Sequence, residues 1–136
     1  MLKAINHIGI AVKDLDASIE VFKKVINFTE IHRETVIDRK VHVASFKVGD
    51  VLIELTAPTD ETSPIAKHLE KNGEGIQHIA FETDDIHAEL ERLKGAGVQL
   101  INETPVPGAH DMQIAFMHPK STNRVLMEVC QPNADH

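Results

Sequence analysis

In "INHIGIAV" (5–12) apolar bulk recurs at every second position, which separates Ile8, Ile10 and Val12 from Ile5, His7, Gly9 and Ala11. A period of two is that of a strand with two unlike faces. The bulky set suits packing on a helix. The other set is small apart from His7 and suits the lining of a cavity. The period changes in "KDLDASIEVFKKVINF", where Leu15, Ile19, Phe22 and Ile26 step by four, three and four. That spacing predicts a helix with one apolar face. Asp14 stands where an N-cap carboxylate accepts the first free N–H groups, and Asn27 can take the left-handed turn that ends the helix. Strand patterns follow in "KVHVASFKV" (40–48) and "VLIELTAP" (51–58).

The same order then recurs. "IQHIAFET" (76–83) places His78 71 residues after His7, and Asp85, Ile86, Leu90 and Leu93 follow Asp14, Leu15, Ile19 and Phe22 at that same offset. "MQIAFMHP" and "VLMEVCQP" (125–132) close the second copy, the latter 74 residues after "VLIELTAP". Between the copies, "SPIAKHLEKNGEG" offers Ser63 as N-cap, Pro64 as first helical residue and Gly73 as stop. The expectation is an α+β fold in one domain, 1–136: a βαβββ module over 3–60, a connecting helix over 61–73 and a second βαβββ module over 74–132. "ETPVPGAH" has the Pro and Gly density of an irregular rim loop.

Composition narrows the function. A chain of 136 residues suggests one compact domain or two very small ones, and 42% hydrophobic content is ordinary for a globular protein. Its net charge of −7 and the lack of a basic stripe argue against nucleic acid and anionic membrane as main partners. No apolar run is long enough for a membrane span, and "MLKAINHIGI" carries no signal-peptide pattern. The single cysteine, Cys130, excludes an internal disulfide framework and fits a reducing cytoplasm. Without Trp or Tyr, ring stacking is a poor candidate for the main recognition device.

Each copy contributes one histidine and one glutamate at matching points: His7 and Glu54, then His78 and Glu128. By alternation both histidines point away from their helices. Two imidazoles and two carboxylates suit a divalent ion such as Zn, Co, Ni, Mn or Mg, with positions left open for water or substrate. Taken singly, a strand histidine is commonly a structural residue, and a strand glutamate commonly faces solvent. Repetition at equivalent positions favours the joint reading. A buried carboxylate is costly unless paired, and an ion removes that cost.

The module order and the His/Glu placement resemble the vicinal oxygen chelate superfamily, which holds glyoxalase I, bleomycin-resistance proteins, ring-cleaving dioxygenases and the methylmalonyl-CoA epimerases. "HIGIAV", "SPIAKHLEKNGEGIQHIAFE" and "GVQLINETPVPGAHDMQIAFMHPKS" are most similar to the epimerase family. The resemblance implies a cupped mixed sheet around a metal site with His7, Glu54, His78 and Glu128 as ligands. It also implies an acyl-CoA substrate, a homodimer, and interconversion of C2 epimers through an enolate. Glu54 is the variable ligand, since relatives carry Glu or Gln there. Glu128 corresponds to one proposed base. Some relatives place a second glutamate on the strand written here "KVHVASF", where His42 is aligned with it. His42 can carry a proton near neutral pH; a plain polar residue on a half-exposed strand is the simpler reading.

Glyoxalase I, acting on a thiol adduct of methylglyoxal, would use the same four ligands, and a non-enzymatic small-molecule binder would need none of them. Asn123 and Arg124 stand where relatives often have glycines. Arg124 and Lys120 are candidate contacts for CoA phosphates. His32, His68, His87, His110 and His118 lack repeat partners and read as surface residues.

Overall fold

The computed structural model describes residues 1–133. The chain forms two compact units, one of His7–Gln77 and one of Met1–Asn6 together with the chain from His78 on.

The first unit is built on β1 (Leu2–Ala11, entering the unit at His7), α1 (Leu15–Ile26), β2 (His32–Val36), β3 (Val41–Val48), β4 (Val51–Pro58) and α2 (Pro64–Asn72). Its strands lie in the order β2-β3-β4-β1, with β1 parallel to β4 and the other pairs antiparallel. A hairpin turn suffices between β3 and β4. Gly49 (φ +63) opens that turn at a position where a side chain would be strained. The predicted helix ends are present: Asp14 accepts from the Ala17 N–H at 3.0 Å, and Asn27 closes α1 at φ 60, ψ 43. Ser63 caps α2, accepting from the Ile65 N–H at 3.1 Å. The apolar face of α1 (Leu15, Ile19, Phe22, Ile26) packs on Val12, Ala44, Phe46, Leu55 and Ala57. Phe28 stacks on Phe46 with centroids 4.2 Å apart. Leu55 is fully enclosed there, which contributes about 1.5–3 kcal/mol relative to an exposed leucine.

The second unit contains β5 (Gly75–Thr83, entering at His78), α3 (Ile86–Gly95), β6 (Val106–Gly108), β7 (Met112–Met117) and β8 (Met127–Pro132). Its strand order is β5-β8-β7-β6, with β5 parallel to β8. Asp85 caps α3 through the Ala88 N–H at 3.0 Å. Ile86, Leu90 and Leu93 of α3 bury themselves against Ala115, Met117 and Val129, with Leu2 beside them. Asn6 donates from Nδ2 to Glu82 Oε1 at 2.8 Å, and Lys3 reaches Asp84 at 2.6 Å, so the first residues of the chain are tied to β5.

One expectation needs correcting. "ETPVPGAH" is not irregular throughout: Val106–Gly108 pairs with Met112–Ile114 as strand β6. Gly108 permits this, because a Cβ there would stand 2.7 Å from Ile114 Cγ2. Among the described residues, no helix is long and apolar enough to cross a membrane.

Candidate functional site

Register places the site residues. In the first unit Gly9 lies beside Glu54, and Ser45 flanks Glu54 on the other side. Laterally paired residues share a face, so His7, Gly9, Ala11, Leu52, Glu54, Thr56, Val43 and Ser45 all point away from α1. His7 is two positions along β1 from Gly9, and is therefore the diagonal neighbour of Glu54. Glycine at the direct position leaves space for the imidazole to lean toward the carboxylate. His7 Nε2 lies 3.6 Å from Glu54 Oε1.

The second unit repeats the construction. Ala80 lies beside Glu128, His78 precedes Ala80 by two, and His78 Nε2 is 3.4 Å from Glu128 Oε1. Phe116, opposite Glu128 on β7, meets the His78 ring edge-on with centroids 5.6 Å apart and an interplanar angle of 82°. The surrounding face is apolar: Ala80, Met112, Ile114, Phe116 and Cys130 form one cluster. Cys130 is a buried thiol.

Exposure decides against a solvated role for these pairs: His7 is 4%, Glu54 4%, His78 6% and Glu128 2% exposed. The distances also discriminate. Both exceed the 2.7–3.2 Å or so of an ordinary N–H···O hydrogen bond. Two donors each about 2.1 Å from one divalent ion lie roughly 3.0–3.4 Å apart for angles between octahedral and tetrahedral. The observed pairs are at or just beyond that upper limit, and nitrogen with carboxylate oxygen is a donor set for borderline and hard divalent ions. The residues therefore fit a metal.

His42 does not belong with them. It pairs laterally with Ala57 and Thr35, and alternation puts it with Ala44 and Phe46 on the α1 face of the sheet. Its Nδ1 is 2.8 Å from Thr35 Oγ1. It lines a hollow of about 450 Å³ beside Asp14, Asp16, Arg33 and Thr35, which Glu34 and Val43 also border. The expected second proton carrier is thus on the opposite side of the sheet from Glu54; along a strand, a single residue of displacement inverts the face.

The sequence pattern assigns His32 to the surface and leaves Glu34 unremarked, yet both lie on the face of Glu54. His32 and Glu34, on β2, lie opposite Ser45 and Val43, with His32 Nε2 2.8 Å from Glu34 Oε1. The available signal is their spacing of two, the period of one strand face.

The other predicted residues fall as follows. Lys120 is exposed in a short turn whose His118 Nδ1 accepts its N–H at 3.1 Å. Asn123 and Arg124 both sit at positive φ, 54° and 69°.

The sequence profile of the Glyoxalase/Bleomycin resistance protein/Dioxygenase superfamily matches residues 6–116. The chain belongs to this superfamily. Within it, the ethylmalonyl-CoA/methylmalonyl-CoA epimerase of Cereibacter sphaeroides is 38% identical over 133 residues, 96% of this chain and 99% of that protein. An uncharacterised protein of Bacillus subtilis is 40% identical over 134 residues, 98% of this chain and 96% of its own. Among solved structures, a Streptomyces coelicolor methylmalonyl-CoA epimerase in complex with 2-nitronate-propionyl-CoA superposes with a TM-score of 0.94 at 36% identity, covering 98% of this chain and 97% of that one.

Proposed function

We propose that this protein is an epimerase that interconverts the C2 epimers of methylmalonyl-CoA, with His7, Glu54, His78 and Glu128 as ligands of one divalent ion. The observation that carries the metal part is the duplicated pair, a buried histidine and a buried glutamate separated by 3.6 Å in one unit and 3.4 Å in the other. The acyl-CoA substrate is supported by relatives and solved neighbours that are methylmalonyl-CoA epimerases along nearly the whole chain.

The chemistry fits the donor set. The proton at C2 is weakly acidic because a thioester carbonyl stands next to it, and its removal leaves charge on the thioester oxygen. A divalent ion of this kind, once bound, supplies Lewis-acid stabilisation of that charge. Glu128 is proposed to take the proton on one face of C2. Its carboxylate is flanked by Ala80 on β5 and Phe116 on β7. Gly9 and Ala11 leave room above the first unit's sheet for a small acyl group. A homodimer and a cytoplasmic location accompany this reading; family resemblance supports the first and the lone buried thiol the second.

The test is exchange of the C2 hydrogen of methylmalonyl-CoA in deuterated water with added Co or Zn. Metal-dependent exchange and epimerisation are expected. Their absence, alongside turnover of a methylglyoxal–thiol adduct, would assign the chain to glyoxalase chemistry instead. His78→Ala is expected to lose its bound ion by elemental analysis, and unchanged metal content would remove His78 from the ligand set. Light scattering checks the dimer.

A further inference from the structure

Epimerisation needs two proton carriers, since the proton leaves one face of C2 and a proton returns to the other. Glu128 accounts for one, and His42 is on the wrong side of its sheet. We infer that Glu34, held by His32, is the second acid/base group; the inference rests on the epimerase reading above.

Three observations point to this pair. First, register fixes the face. His32 pairs with Ser45, which pairs with Glu54, and Glu34 pairs with Val43, which pairs with Thr56. His32 and Glu34 therefore share the sheet face of His7 and Glu54, away from α1. Second, nothing bulky intervenes. β2 is two ladder spacings from β4, about 9.6 Å, Glu34 is level with Thr56, two residues along from Glu54, and the intervening side chains on that face are Val43 and Ser45, too short to screen a glutamate. Third, the pair is built for proton traffic. The 2.8 Å contact fixes the orientation of the carboxylate. The Glu34 side chain is 29% exposed and that of His32 51%, so a proton accepted from substrate can pass to water.

The step balances without any further reactant. In one direction the C2–H bond breaks, its electron pair moves into the enolate, and the proton goes to Glu34. The enolate then re-forms the thioester carbonyl as a new C2–H bond is made with a proton from the carboxyl of Glu128. The reverse direction exchanges the two roles. His32 is a positioning residue: it aims the carboxylate and makes no bond to substrate.

Replacing Glu34 should separate the two faces of C2. In the full chain loaded with Co, Glu34→Gln is expected to slow epimerisation at least about 100-fold. It should still exchange the C2 hydrogen of one epimer with solvent deuterium, through Glu128, and should lose exchange from the other. Its metal content should equal that of the wild type. His32→Gln is expected to lower kcat by a smaller factor at unchanged KM, a split that general loosening of β2 would not produce. Epimerisation by Glu34→Gln at the wild-type rate overturns the inference, and so does equal loss of exchange from both epimers at wild-type metal content. A wild-type protein that neither exchanges nor epimerises overturns the epimerase reading itself. An active wild type with an unaffected Glu34→Gln overturns this inference alone.

Discussion

Arg124→Gly should stabilise the protein, although it deletes a large side chain. The turn before β8 is closed by the Val125 N–H donating to the Thr122 carbonyl at 3.0 Å and by Thr122 Oγ1 donating to the Val125 carbonyl at 2.6 Å. Its two central residues, Asn123 and Arg124, have φ values of 54° and 69°. Two successive positive φ angles are the pattern of a type I′ turn, whose favoured pair is Asn-Gly. Asn123 suits its place, because asparagine tolerates the left-handed region. Arg124 does not, since a Cβ in that region costs about 1–2 kcal/mol. Glycine removes that cost but gives back about 0.4–1 kcal/mol through its freer unfolded chain. The net gain expected is about 0.5–1 kcal/mol, or a Tm rise of roughly 2–5 °C for a chain of this size. Urea titration should show a higher midpoint at an unchanged slope, which separates a stability gain from a change in the unfolded ensemble. Arg124→Ala keeps the Cβ and should show no such gain. Equal midpoints for Arg124→Gly and Arg124→Ala would refute the reasoning, because side-chain loss and not backbone relief would then be the cause.

Three further outcomes follow from the same geometry. Gly108→Ala should destabilise by about 1–3 kcal/mol through overpacking, since the new Cβ meets Ile114 Cγ2 at 2.7 Å; the loss should shrink in an Ile114→Ala background, and denaturant midpoints measure both. The hydrogen bond from Arg92 holds the buried carboxyl of Glu89 below its ordinary value of 4.5, against the opposing effect of burial. The unfolded chain takes up that proton at a higher pH than the folded one, so this contribution is complete above the ordinary value and is lost as pH falls through the folded-state pKa. Glu89→Gln should flatten the acid limb of a stability–pH curve, and parallel limbs for the two proteins would show that the pairing does not stabilise. His42→Ala should epimerise at the wild-type rate, because His42 faces α1; a large loss of kcat would return it to the site.

Much of this protein is legible from its sequence, for local reasons. Period and capping depend on residues a few positions apart, so Leu15, Ile19, Phe22 and Ile26 announced α1, and Asp14 and Asp85 announced its start and that of α3. The repeat singled out His7, Glu54, His78 and Glu128, since a polar residue inside each copy of an apolar strand stands out without any coordinates. Which face each strand residue takes was also legible wherever the strand could be followed from an anchor, as in β1 and β4.

Cross-strand register is a different kind of quantity. It depends on partners far along the chain, and a shift of one residue exchanges the two faces of a strand. That is why His42 reads as a candidate proton carrier although its pairing with Ala57 puts it on the helix side, and why His32 reads as a surface residue and Glu34 goes unnoticed on a short edge strand. Gly9 and Ala80 were merely small residues in the sequence. Only the ladder showed that each lies directly beside a glutamate, where the missing side chain lets a histidine two residues away lean in. The sequence determined which residues are unusual and which elements carry them. The tertiary structure decided which of them share a face, because that depends on hydrogen-bond register between strands, which no local pattern encodes.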